Sequence, residues 1–226
     1  NKGTKMNPQK IAVIGATGYV GKAVVKELAQ RGHQVTAFAR HIDKVEPQNN
    51  VTAVQADVMS ADFPQKLQGF DAVVSAYNPG WTNPNIGEEF TQGSQAIIEG
   101  GKQANVPYLL IIGGAGSLYV ADNKQLIDTP EFPKEIFDGA NAARHLIKAL
   151  TDRRDVNWAF ISPPAMLGVT AGYSEERTGE YRLGDNHLLM NGDTPAGISV
   201  ADLAIAIADD LENKAHLHQH FTAAAI

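Results

Sequence analysis

Lys10-Ile11-Ala12-Val13-Ile14-Gly15-Ala16-Thr17-Gly18-Tyr19-Val20-Gly21 decides how the rest of the chain is read. An apolar, β-branched strand runs into three glycines at a spacing of three and then into a helix. Gly15 lets the chain leave the strand sharply, Gly18 carries no Cβ to obstruct a diphosphate, and Gly21 lets the helix pack close to the strand. The unpaired N–H groups of the helix start then face an anion. A glycine turn without a ligand uses the same residues, so the context matters. Val20, Ala23, Val24 and Leu28 recur at helical spacing before Gly32 stops the helix, as a dinucleotide-binding turn requires.

Working outward, the pattern predicts strands at 34–39, 51–56, 71–75, 107–112 and 157–161, with a last one at 221–224. Helices are expected at 86–104, 133–150 and 199–211, and a short one follows Ser60 as its N-cap. Gly100 and Gly101 each cost about 1 kcal/mol against alanine, which puts the weak point of the 86–104 helix in its last turn. Ser199 reads as an N-cap, with Asp202 completing a capping-box-like pair. Such alternation demands a doubly wound parallel sheet between helices, with right-handed crossovers: an α/β fold in one domain over 6–226. Residues 163–197 form an irregular insert with short strands at 181–183 and 187–190, placed to cover a crevice beyond the strand ends.

The chain has 226 residues, 43% of them hydrophobic, a formal net charge of -6 and no cysteine. That charge supplies no broad basic surface for nucleic acid or an anionic membrane, and points to small-molecule partners. Lack of cysteine removes disulfides, thiolate nucleophiles and cysteine-type zinc sites, and suits a reducing, cytoplasmic location. No apolar run approaches the roughly 20 residues of a membrane-spanning helix. Residues 1–9 are polar, without the apolar segment of a signal peptide, and 1–5 read as an addition ahead of Met6.

The second strand ends at Ala39-Arg40-His41, with no acid in 34–41 to bind a ribose 2'-hydroxyl. Arg40 is either a solvated strand-end residue or the partner of a 2'-phosphate. In the latter role a charge-assisted bond of about 1.5 to 3 kcal/mol favours NADPH over NADH by roughly ten- to 150-fold. Asp57 and Val58 after the third strand would lie beside adenine, with the carboxylate accepting from its amine and the Val58 N–H donating to a ring nitrogen. A turn-forming role for Asp57 is the alternative, and Ser60 as helix cap would leave it freer for ligand.

The combination of GATGxxG, Arg40, Ala56-Asp57-Val58 and Gly113-Gly114-Ala115-Gly116-Ser117 resembles the atypical short-chain dehydrogenase/reductases, within them the NmrA-like and NADH-flavin-reductase-like group. The likeness extends through Asn157-Trp158-Ala159-Phe160-Ile161-Ser162-Pro163-Pro164 and Thr178-Gly179-Glu180-Tyr181-Arg182. It implies a Rossmann fold holding NADP(H), with NAD(H) as the other candidate. It also implies that Thr17, Tyr19 and Val20 add phosphate contacts, that Ser75, Ala76 and Tyr77 lie along the nicotinamide ribose, and that Pro163 flanks the nicotinamide.

Familiar members of that superfamily protonate a carbonyl with a tyrosine whose pKa is lowered by a lysine four residues on. None of the six tyrosines here has lysine at that spacing, and the corresponding helix begins Phe132-Pro133-Lys134-Glu135-Ile136-Phe137-Asp138-Gly139-Ala140-Asn141. No catalytic residue is assigned; Glu135 and Asp138 could supply a proton, but exposed carboxylates on a first helical turn read more readily as dipole partners. A flavin or quinone takes hydride into a delocalised ring and draws its proton from water, so the missing pair favours such acceptors. Tyr77, Trp81 and Tyr119 form either a stacking shelf for a flat acceptor or ordinary loop packing; Ser117 and Met166 complete the candidate substrate wall. His216, His218 and His220 would share one face of a strand, but no carboxylate or thiolate ligands adjoin them, and a metal site is rejected. His145 reads as a surface or interface residue. Two functions follow: an NADPH-dependent reductase of a small-molecule acceptor, or a non-catalytic NADP(H) sensor acting through a protein partner or a second copy of the chain.

Overall fold

The computed structural model describes residues 7–226, so the reading of 1–5 as an addition lies outside the described residues. Eight strands make the central sheet: β1 Lys10–Ile14, β2 Gln34–Ala39, β3 Val51–Gln55, β4 Ala72–Ser75, β5 Leu109–Ile112, β6 Trp158–Ser162, β7 Arg182–Gly184 and β8 His220–Ala224. Their spatial order is β7-β8-β6-β5-β4-β1-β2-β3, all parallel except β7, which runs antiparallel to β8. The helices are α1 Tyr19–Gln30, α2 Phe63–Lys66, α3 Ile86–Gln103, α4 Phe137–Leu150 and α5 Val200–Asn213.

Alternate residues of β1 enter opposite layers, as the two-residue period of a strand dictates. Ile11 and Val13 pack with Val24 and Leu28 of α1 and Ile207 and Leu211 of α5. Ala12 and Ile14 face Phe63 of α2, Ile97 of α3 and Leu146 of α4. The chain winds one way from β1 through β2 to β3 and the other way from β4 onward. A crevice therefore opens beyond Ile14 and Ser75, which are partners in register.

Several local expectations are corrected. The α3 helix runs unbroken through the buried Gly100 and Gly101; an added Cβ would stand 3.3 Å from Leu67 or Leu109, so the glycines let α3 approach α2 and β5, and that packing offsets their helix cost. The 133–150 helix instead starts with a tight turn at Lys134–Ile136, and α4 proper begins at Phe137. Ser60 does not cap α2: Asp62 stands at that position, and the Ser60 hydroxyl donates to its Oδ1 at 2.5 Å. Ser199 does cap α5, accepting from the Asp202 N–H at 3.1 Å, but the return half of the box is missing. The Asp202 carboxylate instead accepts from the Thr178 N–H at 2.9 Å, the Thr178 hydroxyl at 2.7 Å and the Gly179 N–H at 3.0 Å.

Those bonds tether the insert, and two more assist. Arg177 Nη2 donates to Glu27 of α1 at 3.1 Å, and the Tyr181 hydroxyl donates to Asp209 of α5 at 2.6 Å. So fixed, Arg182–Gly184 joins the main sheet as its edge strand rather than standing alone. Of the 187–190 stretch, His187 bridges Tyr119, and Met190–Asn191 pairs with Thr194–Pro195. The three C-terminal histidines do not share a face. His216 bonds Asp210 at 2.6 Å and stacks on Phe221, His218 bonds the Val156 carbonyl at 2.9 Å from a left-handed turn, and only His220 lies on β8. Among the described residues no helix is long and apolar enough to cross a membrane.

Candidate functional site

The turn between β1 and α1 is built by close backbone approach. Gly15 has φ +73, and an added Cβ would lie 2.5 Å from the Ala76 carbonyl oxygen. A Cβ on Gly21 would overlap the Gly15 carbonyl. Both positions are closed to other residues for reasons internal to the fold. Gly18 differs: its φ is -74 and an added Cβ would meet only the Gly15 carbonyl oxygen, at 3.6 Å. It serves as N-cap of α1 without a side-chain hydrogen bond, and the first turn carries no acidic residue. The positive end of that helix dipole is left uncompensated and faces open space, the arrangement that suits an anion.

Gly18, Tyr19, Val20, Gly21, Ala76, Tyr77 and Pro163 line one cleft of about 880 Å³. Gly15 lies beneath them and Thr17 is exposed beside them. Ser75 is buried at the end of β4, where its hydroxyl accepts from the Tyr77 N–H at 3.4 Å. The Tyr77 ring occupies the space a side chain at Gly93 of α3 would need, and its hydroxyl donates to the Glu89 carbonyl at 3.2 Å. Burial first, and then Glu89, push the Tyr77 hydroxyl above the usual tyrosine pKa, while nearby Arg40 pulls it down.

Arg40 follows β2, exposed and without an ion pair among the described residues. The Ala56 N–H donates to the Ala39 carbonyl at 3.1 Å, which brings Arg40, Asp57 and Val58 to the same edge of the crevice. Asp57 is exposed, and its Oδ1 accepts from the Met59 N–H at 2.9 Å. Its turn-forming role is thus realised, and the freedom expected from a Ser60 cap is not.

The far half of the cleft is made of side chains. Trp81, Ile86, Phe90, Leu126, Phe132 and Ile136 form its walls, Ser117 adjoins them, and α4 presents only Gly139, Ala140 and Ala143. Where a tyrosine acid would stand, small residues leave room. Pro164, Ala165, Leu167 and Thr170 close the cleft from the insert, and the Gly168 backbone, at φ +63, lies against the Tyr19 hydroxyl. Glu135 and Asp138 fall outside the lining.

Tyr119 and Met166 also fall outside it. The Tyr119 N–H donates to the Asn186 carbonyl at 2.9 Å and its ring sits 6.0 Å from that of His187, so it anchors the insert. Met166 pairs with Gly197 in a short parallel bridge and its side chain is exposed. Sequence reasoning did not single out Leu126, Phe132 and Ile136. Their signal was faint: apolar residues spaced through the otherwise polar connection between β5 and α4.

Comparison with known proteins matches residues 15–212 to a family described as NAD(P)H-binding. The chain is 38% identical over 217 residues to the uncharacterized protein YwnB of Bacillus subtilis, covering 94% of this chain and 97% of that protein. Among solved structures, a provisionally named epimerase from Bacteroides thetaiotaomicron matches with a TM-score of 0.87 and 36% identity, covering 97% of this chain and 98% of that one. A provisionally named NADH-flavin reductase from Streptococcus pneumoniae matches with a TM-score of 0.81 and 32% identity, covering 96% and 100% respectively.

Proposed function

The chain belongs to the NAD(P)H-binding family, and we propose that it is an oxidoreductase that prefers NADPH and passes hydride to a flat conjugated acceptor such as a flavin or quinone. One observation carries this reading: a single cleft joins an uncapped helix start to an apolar half whose α4 wall lacks any acid. When bound, the reduced nicotinamide supplies hydride, a proton with two electrons. The chain's part is to hold and to exclude. Amides at Tyr19, Val20 and Gly21 take the diphosphate beside the bare Gly18, whose own N–H is held by the Gly15 carbonyl at 3.2 Å; Gly15 and Thr17 shape the turn, and Arg40 takes the 2'-phosphate. Asp57 and Val58 meet the adenine; Ser75, Ala76 and Tyr77 run along the second ribose, and Pro163 flanks the nicotinamide.

Trp81 and Phe132 give a flat ring apolar surface to lie on, with Ser117 adjoining it, and the apolar walls hold the acceptor ring against the nicotinamide. Catalysis is then chiefly orientation. A carbonyl substrate would develop an alkoxide in need of a positioned donor, whereas a conjugated ring spreads the charge and takes its remaining proton from water. The Streptococcus pneumoniae neighbour's name agrees with this chemistry. The cysteine-free composition fits a cytoplasmic location.

The test is NADPH oxidation followed by absorbance across a panel of quinones and flavins. Steady turnover with at least one acceptor is expected. NADPH that binds but is oxidised by none would favour a non-catalytic sensor working through a protein partner, a role the acid-free α4 face would also permit.

A further inference from the structure

The charge of the cleft restricts the acceptor more than its shape does. Among the described residues Glu131 is the single charged residue on the lining, and no lysine, arginine or histidine belongs to it. Arg144 of α4 is turned elsewhere, donating to Asp128 at 2.6 Å and to Asn141 at 3.0 Å, and Lys134 stands outside the lining. The uncapped start of α1 and, at the crevice edge, Arg40 are the features that suit anions, and the cofactor's diphosphate and 2'-phosphate have first claim to them. A phosphorylated acceptor would have to desolvate its phosphate with no cation to receive it, beside both a carboxylate and an anionic cofactor.

We infer that the site takes an uncharged or cationic conjugated ring and selects against phosphorylated acceptors, with Glu131 setting that preference. This presupposes the flat-ring acceptor proposed above. Glu131 directly precedes Phe132 on the connection into α4, so a ring seated on the Phe132 side of the cleft meets the carboxylate's field. Glu131 is exposed, so its effect is electrostatic and screened by salt rather than structural.

Riboflavin and FMN test the point, since they share ring and side chain and differ by one phosphate. Each is titrated by flavin fluorescence quenching into the chain saturated with NADP+. At low ionic strength riboflavin binds about ten-fold more tightly than FMN, and the gap closes at high salt. Glu131→Lys brings FMN level with riboflavin or ahead of it, and Glu131→Gln falls between. Wild type binding FMN as tightly as riboflavin, or an unchanged ratio in Glu131→Lys, overturns the charge preference and leaves the flat-ring acceptor standing. Binding of neither flavin, by a chain that binds NADP+, overturns the charge preference and removes flavins from the proposed acceptors; absence of turnover with the quinones as well overturns the flat-ring acceptor.

Discussion

The two ends of the cleft are built from different material. At the α1 end the work falls to backbone: Gly15 and Gly21 are fixed by contacts with the Ala76 carbonyl and with each other, and Gly18 leaves the helix start bare. At the other end the work falls to side chains carried by the β4–α3, β5–α4 and β6–β7 connections and by α3, with backbone constraint confined to single glycines such as Gly80 and Gly168. Backbone approach tolerates glycine alone, so the first end is written plainly in the chain. Apolar walls accept many residues of similar size, so the second is not.

Gly18→Trp attacks the backbone end by itself. Its Cβ direction is open, so the fold accepts the indole while the space before α1 is filled. NADPH affinity should fall by more than about 100-fold, the equivalent of two charge-assisted hydrogen bonds, with the thermal midpoint held close to wild type. A collapse of the midpoint would show that Gly18 is as structural as its two neighbours, and the contrast among the three would be lost.

The acceptor end hangs from β6, whose last residue, Ser162, shares a 2.7 Å hydrogen bond with His220 Nε2 immediately before Pro163 enters the cleft. Burial lowers the His220 pKa to about 4 from an ordinary 6.5, with Asp185 pulling the other way. Because the folded value is the lower one, the unfolded chain binds the proton more readily, and stability is lost as pH falls through the window from 6.5 to about 4. The loss attributable to this group is about 3 kcal/mol. Denaturant midpoints of His220→Gln should decline less across that window; a decline as steep as wild type would mean the imidazole is not the group responsible.

Arg40→Ala sharpens the first end rather than destroying it. NADPH affinity should drop about ten- to 150-fold while NADH affinity stays within about two-fold, as titrations with both cofactors would report. Equal losses for the two would assign Arg40 to something other than a 2'-phosphate. The smallest effect is expected from Trp81→Ala at the acceptor end. That indole is 54% exposed, so losing its stacking surface should raise the acceptor KM by about five-fold with NADPH affinity unchanged.

The same contrast explains what could be read without coordinates. The bounds of β2 follow from an apolar run between turn residues, and α1 follows from its 3.6-residue spacing, because local periodicity and core packing agree there. The sequence pattern puts strand β7 at 181–183, one residue before its observed Arg182–Gly184, and does not tie it to the main sheet. Three residues show no periodicity, and the strand is held by distant bonds from Asp202 and Asp209 and by pairing with β8. Gly100 and Gly101 read as weakness in α3, since the neighbours that need their small size lie far away in sequence. Likewise nothing local distinguishes Phe132, in the cleft wall, from Tyr119, which packs on His187.

Calorimetric titration of the wild-type chain with NADPH goes most directly to the central claim, that the bare start of α1 holds a pyridine dinucleotide. One site per chain is expected, with weaker binding of NADH. Absence of binding heat from either cofactor, across temperatures and with correctly folded protein, would contradict it.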